Sequence, residues 1–287
     1  MISEGKKIPL RDNVLLHAEI VENGSPFWLI VTHGLGEHSG RHKYMYSLFS
    51  HYFNICIYDL RGHGKSEGKE VFIDDFNEFS KDLDEVVHFL KNNYSMDKFV
   101  LFGHSMGGLI TASYMQNTVK EGSYPLKVFL SGPAIGGTGN LGKVFKMAPM
   151  KIMNTLTQIP LSLPVEGLLD LSKLSHDPRV YENYITDELV HLKIHTKLFL
   201  EILKAGKDVF SRPLRVKCDL YCAVGTHDGI VDSQSTIEYF KTIEKNAKVL
   251  EVKGGYHELH NEIEKFRTPY FEFLKESVLK SIFDEAL

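Results

Sequence analysis

Short apolar runs rich in β-branched and aromatic residues, each bounded by Gly, Asn or Asp, recur through the first half of the chain and again near its end. Such runs read as buried strands. They predict strands at Val14 to Val21, Phe27 to Thr32, Ile55 to Tyr58, Phe99 to Phe102, Leu126 to Leu130, Leu220 to Val224 and Val249 to Val252. Between them the period changes. Phe76, Phe79, Leu83, Val86, Val87 and Leu90 recur at spacings of three and four, which predicts an amphipathic helix over Phe76 to Lys91. Alternating strands and helices imply an α/β fold with a mostly parallel central sheet and helices on both faces.

From Pro133 to about Phe210 this rhythm stops, giving way to a Gly-rich entry, prolines, several Met residues and short helical patterns. This segment reads as an inserted, mainly helical cap (133–210) in a core formed by 1–132 and 211–287. Met147, Met150 and Met153 suit either an adaptable apolar lining or ordinary helix core. After Ser211 the alternation resumes, and Pro269 to Ala286 is expected to form a terminal amphipathic helix.

A chain of 287 residues with 43% hydrophobic and 24% charged residues can bury one large core and lies far from the composition of disordered chains. Its formal charge of −4 offers no footprint for a phosphate backbone, so no nucleic-acid partner is expected. Cys56, Cys218 and Cys222 match neither a disulfide framework nor paired zinc spacings and read as residues of a reducing compartment. The first eleven residues lack the apolar core of an export signal, and no run approaches membrane-spanning length. The expectation is a cytoplasmic protein.

Chemistry enters at Phe99 to Leu109, FVLFGHSMGGL, where a strand runs directly into G-x-S-x-G and a small-residue helix start. In that context the turn strains Ser105 and pushes its hydroxyl above the sheet. A serine hydroxyl needs a base, and the base needs an acid to orient it. Asp228, in Gly225-Thr226-His227-Asp228, and His257, in Gly254-Gly255-Tyr256-His257, each follow a predicted strand. The order Ser, Asp, His is that of an α/β-hydrolase, and all three lie beyond carboxyl ends of strands, where open sheets place their sites. Asp232 is the rival acid, but it falls inside the next predicted helix. Asp59 and His63 read as a polar turn, and His104 as packing beneath the elbow. The oxyanion formed by attack on a carbonyl needs two preset donors. Met106 N–H follows the nucleophile, and Leu35 N–H lies in His33-Gly34-Leu35-Gly36-Glu37-His38.

The strings His33-Gly34-Leu35-Gly36-Glu37-His38-Ser39-Gly40-Arg41, Asp59-Leu60-Arg61-Gly62-His63-Gly64, Gly103-His104-Ser105-Met106-Gly107-Gly108 and Gly255-Tyr256-His257-Glu258-Leu259-His260 together resemble the monoacylglycerol lipases and related lysophospholipases. The resemblance covers both halves of the core and is loose in the cap, where Asp187-Glu188-Leu189-Val190 stands in place of the usual Asp-Pro-Leu-Val. It implies the α/β-hydrolase fold and cleavage of a small lipid ester, a monoacylglycerol, to fatty acid and glycerol, with no metal or cofactor. It also implies a glycerol-head pocket of Glu37, Arg41 and His260, approached by Tyr184 from the cap. Transient peripheral membrane contact is implied through the cap, with Val144 to Leu163 and its lysines Lys143, Lys146 and Lys151 as the candidate surface. Lysophospholipase, carboxylesterase and aminopeptidase activities remain alternatives on the same scaffold, as does a non-catalytic lipid-binding role. Oligomeric state is left open.

Overall fold

A computed structural model of the chain describes residues 4–137, 148–159, 162–214, 216–280 and 282. Eight strands form one twisted sheet: β1 (Glu4–Pro9), β2 (Leu15–Val21), β3 (Phe27–Thr32), β4 (Asn54–Tyr58), β5 (Lys98–His104), β6 (Lys127–Ser131), β9 (Asp219–Gly225) and β10 (Lys248–Val252). Their spatial order is β1-β2-β4-β3-β5-β6-β9-β10. The pairs β1–β2 and β2–β4 are antiparallel and every other pair is parallel, as the α/β reading expects. Strand β1 escapes the sequence reading. Its EGKKIP is polar because it is an edge strand, and from Gly5 to Pro9 Ile8 is the one buried residue.

The period of two on β3 shows how the core divides. Trp28 and Ile30 face one apolar layer, which includes Phe79, Leu83 and Val86 of α2 (Asn77–Tyr94) and Leu109 and Ile110 of α3 (Met106–Asn117). Leu29 and Val31 face the other, formed with Met45 and Phe49 of α1 (Tyr44–Phe49) and with Tyr270, Leu274 and Val278 near the C-terminus. Removing one such aliphatic side chain to Ala typically costs about 2–5 kcal/mol. The helix read as Phe76 to Lys91 continues to Tyr94 and ends at Ser95, whose φ of 51° breaks the helical repeat.

Between β6 and β9 the described residues add no strand to this sheet. It forms α4 (Met150–Thr157), α5 (Pro178–Thr186) and α6 (Thr196–Phe210), with a two-stranded ribbon of β7 (Pro164–Val165) and β8 (Ile194–His195). Helix α6 packs against α3 and the turn Ala134–Gly136; at Gly206 a Cβ would stand 2.9 Å from the Ala134 carbonyl. Two helices follow on the core, α7 (Ser233–Thr242) and α8 (Glu264–Leu279).

The terminal helix therefore starts five residues before Pro269. The proline removes one backbone bond, to the carbonyl of exposed Lys265, which water can satisfy, while buried Phe266 and Tyr270 anchor the turn on either side. The expected end at Ala286 lies outside the described residues, as do Lys143, Lys146 and Met147. All three cysteines are free, with Cys56 and Cys222 buried. Among the described residues no helix is long and apolar enough to cross a membrane.

Candidate active site

Strand β5 passes into α3 through a single residue, Ser105, whose φ of 55° and ψ of −118° lie outside the regions an L-residue prefers. Such strain costs on the order of 1–3 kcal/mol and persists only where its surroundings enforce it. Here they do. A Cβ at Gly107 would meet the carbonyls of Thr32 and His33 at 2.3 and 2.4 Å, and one at Gly103 would meet the Gly107 carbonyl at 2.5 Å. The Ser105 N–H also donates to the Ser131 carbonyl at 2.9 Å, locking the elbow to β6.

The loops after β9 and β10 carry the two partners to this point. His257 Nε2 lies 2.9 Å from Ser105 Oγ, and its Nδ1 lies 2.6 Å from Asp228 Oδ2. A carboxylate only accepts, so Nδ1 carries the ring hydrogen and Nε2 is free to accept the serine proton. Asp228 is in turn oriented by the N–H groups of Ile230 and Val231, which donate to its Oδ1 at 2.8 and 3.0 Å. Burial alone would lower the pKa of His257, but the Asp228 charge and hydrogen bond, with Glu258 and Glu37 further off, raise it above the ordinary histidine value. Asp232 takes no part: it caps α7, accepting from the N–H and hydroxyl of Ser235.

The donor pair expected for an oxyanion is also brought to the serine. Leu35 sits in the loop after β3, Met106 opens α3, and among the described residues neither N–H has a hydrogen-bond acceptor. Gly34 leaves the loop close against the site, since a Cβ there would stand 2.9 Å from Glu37 Oε1 and 3.1 Å from Ser105 Cβ. Its N–H donates to Glu37 Oε1 at 2.5 Å, which fixes the loop.

The four residues expected to bind the head group separate into two sets. Glu37 and Tyr184 line the cleft beside Ser105 and His257. Arg41 stands behind them, its Nε donating to Glu37 Oε2 at 3.0 Å, its Nη2 to both Glu258 oxygens at 2.7 Å, and its guanidinium 4.6 Å from the centre of the Tyr184 ring. His260 does not line the cleft. It is buried, stacked on Tyr44 with ring centres 4.8 Å apart, and its ring lies 5.1 Å from that of His104. The place expected for it is taken by Glu258, which the sequence reading left without a role although it adjoins His257. Its signal was a charged side chain immediately after the base.

Glu37 is fully enclosed, which would raise its pKa. The charge and hydrogen bond of His42, with the charge of Arg41, outweigh burial and hold it well below the usual carboxylate range. His42 Nε2–H donates to Glu37 Oε1 at 3.0 Å, and among the described residues its buried Nδ1 has no hydrogen-bond partner. Asp59 and His33 are structural: Asp59 accepts from Ser39 and Lys65 N–H groups, and His33 Nε2 accepts from Leu60 N–H.

Next to the cleft lies a cavity of about 480 Å³. It shares Leu35, Leu169, Leu171 and Tyr184 with the cleft and is otherwise walled by residues of the insertion, including Leu168, Leu192 and Ile194. Apolar walls leading to a serine, a base and two unpaired amides suit acyl transfer from an ester with a long hydrocarbon arm. Among the described residues no group of His, Cys, Asp and Glu is arranged to hold a metal ion.

Comparison with known proteins gives the same picture. The family described as serine aminopeptidase, S33, matches residues 27–264. The monoacylglycerol lipase of Mycolicibacterium smegmatis is 31% identical over 245 residues, covering 82% of each chain. Human monoglyceride lipase is 29% identical over 246 residues, covering 84% of this chain and 78% of its own. Among solved structures, the monoacylglycerol lipase of Paleococcus ferrophilus superposes with a TM-score of 0.75 at 29% identity, covering 91% of this chain and 99% of that one. A Saccharomyces cerevisiae monoglyceride lipase variant in complex with a substrate analogue shares the fold, with a TM-score of 0.78 at 17% identity, over 98% and 96% of the two chains.

Proposed function

Because this chain belongs to the serine aminopeptidase S33 family, and within it to the hydrolases similar to monoacylglycerol lipases, we propose that it cleaves monoacylglycerols to fatty acid and glycerol through an acyl-enzyme. Ser105 attacks the ester carbonyl as His257 takes its proton, and the Leu35 and Met106 amides receive the oxyanion. Asp228 holds the imidazole and balances the imidazolium. His257 then gives the proton to the departing glycerol oxygen. A water deprotonated by the same ring attacks the acyl-enzyme, and the fatty acid leaves. Residues 133–210 act as the cap, and the cavity beside the cleft takes the acyl chain.

The observation that carries this reading is the Ser105–His257–Asp228 chain of hydrogen bonds, at 2.9 and 2.6 Å, beside a cavity whose walls include Leu35, Leu168, Leu169, Leu192 and Ile194. Exposed Ile152, Ile159 and Leu163 support transient contact of the cap with a lipid surface, where such substrates reside.

The test is an equimolar mixture of a long-chain monoacylglycerol, a diacylglycerol, a lysophospholipid, a short-chain ester and an aminoacyl amide, with products followed by mass spectrometry against a Ser105→Ala control. Preferential release of glycerol and fatty acid from the monoacylglycerol is expected. Dominant cleavage of any other member overturns the substrate assignment, and product formation by Ser105→Ala overturns the nucleophile.

A further inference from the structure

Among the described residues, the charged side chains that line the cleft and cavity are carboxylates: Glu37 and Glu258 line the cleft, Glu166 and Asp170 line the exposed end of the cavity, and no described Lys or Arg lines either. Behind the cleft stands one guanidinium, Arg41, shared between Glu37 and Glu258. Asp228, hydrogen-bonded to His257, is a third buried carboxylate beside that guanidinium. His42 Nε2 donates to Glu37 Oε1 at 3.0 Å, and the neutral amide of Asn261 donates through Nδ2 to Glu258 Oε2 at 2.7 Å. The side that receives the leaving alcohol is therefore negative and poorly hydrated, where like charges repel far more strongly than in water.

We infer that Glu258, together with Glu37, is a charge filter on the leaving group. The site accepts acyl esters of neutral or cationic alcohols and rejects those of anionic phosphates. Resting on the ester-hydrolase reading above, this separates a neutral glycerol ester from an anionic lysophospholipid. It also adds a substrate class: fatty-acyl esters of amino alcohols such as choline. The reaction is the same hydrolysis, in which water adds across the acyl–oxygen bond to give a fatty acid and the free alcohol, with no further reactant. A quaternary ammonium there would face Glu258 and the ring of Tyr184, both of which attract cations.

One acyl chain carried on three heads tests this: the glycerol ester, the choline ester and lysophosphatidate, with Ser105→Ala supplying the background rate. At low salt, kcat/KM for lysophosphatidate should fall at least about 100-fold below the glycerol ester, and the choline ester should equal or exceed it. Raising ionic strength from about 0.01 M to about 1 M, which shortens the screening length from about 30 to about 3 Å, should narrow that gap. Glu258→Gln keeps a hydrogen-bond acceptor for Arg41 and removes one charge. It should raise the lysophosphatidate-to-glycerol ratio about ten-fold and lower the choline-to-glycerol ratio. The double variant Glu166→Gln/Asp170→Asn alters only exposed side chains. It should shift the same ratios in the same directions by a smaller factor, mainly through KM, and it decides the matter should Glu258→Gln fail to fold.

Lysophosphatidate cleaved within about two-fold of the glycerol ester at low salt, or ratios unmoved by the variants, overturns the filter. If the glycerol ester is a poor substrate while the choline and phosphate esters keep their order, the monoacylglycerol reading fails and the filter stands. If the glycerol ester is turned over well and lysophosphatidate matches it, the filter alone fails.

Discussion

The backbone N–H of His257 donates to the carbonyl of Lys173 at 3.2 Å, tying the proposed base through its own main chain to the insertion that walls the cleft. The next amide, Glu258, donates to the Leu174 carbonyl at 2.8 Å, and on the oxyanion side the His191 N–H donates to the Gly36 carbonyl at 2.8 Å. The insertion is thus clasped to both loops that the proposed chemistry depends on, so its displacement would disturb the base and the oxyanion donors together.

Glu262 is the anchor of that clasp. Its buried carboxylate accepts from His176 Nδ1 at 2.7 Å, the Tyr256 N–H at 2.8 Å and the Ile263 N–H at 3.0 Å, and the His176 ring stacks on Tyr256 with centres 3.7 Å apart. Glu262→Ala removes the acceptor shared by these part-buried donors, so a loss of about 2–3 kcal/mol in sum is expected in urea unfolding. His176→Ala leaves the backbone donors paired and should cost about 1 kcal/mol. Equal losses from the two variants would show that Glu262 is not the anchor.

Two aspartates four residues apart should respond in opposite ways. Asp228→Asn keeps an oxygen for the Ile230 and Val231 amides but disrupts the tautomer of His257. It should reduce kcat by on the order of 10³–10⁴ with little change in melting temperature. Asp232→Ala removes the cap of α7 and should cost about 1 kcal/mol of stability while leaving kcat near wild type. The reverse pattern would make Asp232 the acid.

This pair also marks how far the sequence could be read. The strands, the elbow and the order Ser105, Asp228, His257 were legible because strand periodicity and turn chemistry are local, and a loop position already distinguished Asp228 from Asp232. Strand β1 was not, since an edge strand with a solvated face need not alternate and EGKKIP does not. Nor was the exchange of roles between His260 and Glu258. Both follow His257 within three residues, and the short 3₁₀ turn over Leu259–Asn261 decides which side chain meets the cleft and which is buried against Tyr44. That choice depends on Arg41 and Tyr44, more than two hundred residues away in the chain.

Histidine burial sets the acid stability of the fold. Burial lowers the pKa values of His33, His104 and His260, and brings His63 down to about 3, below the ordinary 6.5. Groups with depressed values stay neutral in the fold and take up protons on unfolding. Their stabilisation is thus complete above pH 6.5 and is lost as pH falls below it, at about 1.4 kcal/mol per pH unit for each. His257 runs the other way: its raised value favours the fold below its unfolded pKa, and that contribution fades as pH rises through its folded pKa. His17 and His195 are lowered by burial as well, so the depressed rings outweigh the one raised ring and predict urea midpoints that fall steeply below pH 6.5. A flat profile between pH 6.5 and pH 4.5 would contradict neutral burial. In the same series, kcat/KM should lose its acid limb at a pKa above 6.5, because only neutral His257 can accept the serine proton.

The cavity makes a prediction about chain length. Its volume of about 480 Å³ is bounded by Leu192 and Ile194 from the insertion and by Leu35 from the oxyanion loop. Each methylene that it buries contributes about 0.8 kcal/mol, close to a four-fold gain in kcat/KM per added carbon until the space is filled. For wild type, kcat/KM should therefore climb along a series of saturated monoacylglycerols and then level off. Leu192→Trp puts an indole into the apolar wall without touching Ser105, His257 or the head-group cleft. It should move the plateau to shorter acyl chains by several carbons while leaving the rate on the shortest ester near wild type. A plateau at the same length in both proteins would mean that the acyl chain takes another route, and a uniform loss at every length would mean that the substitution has displaced the cleft itself.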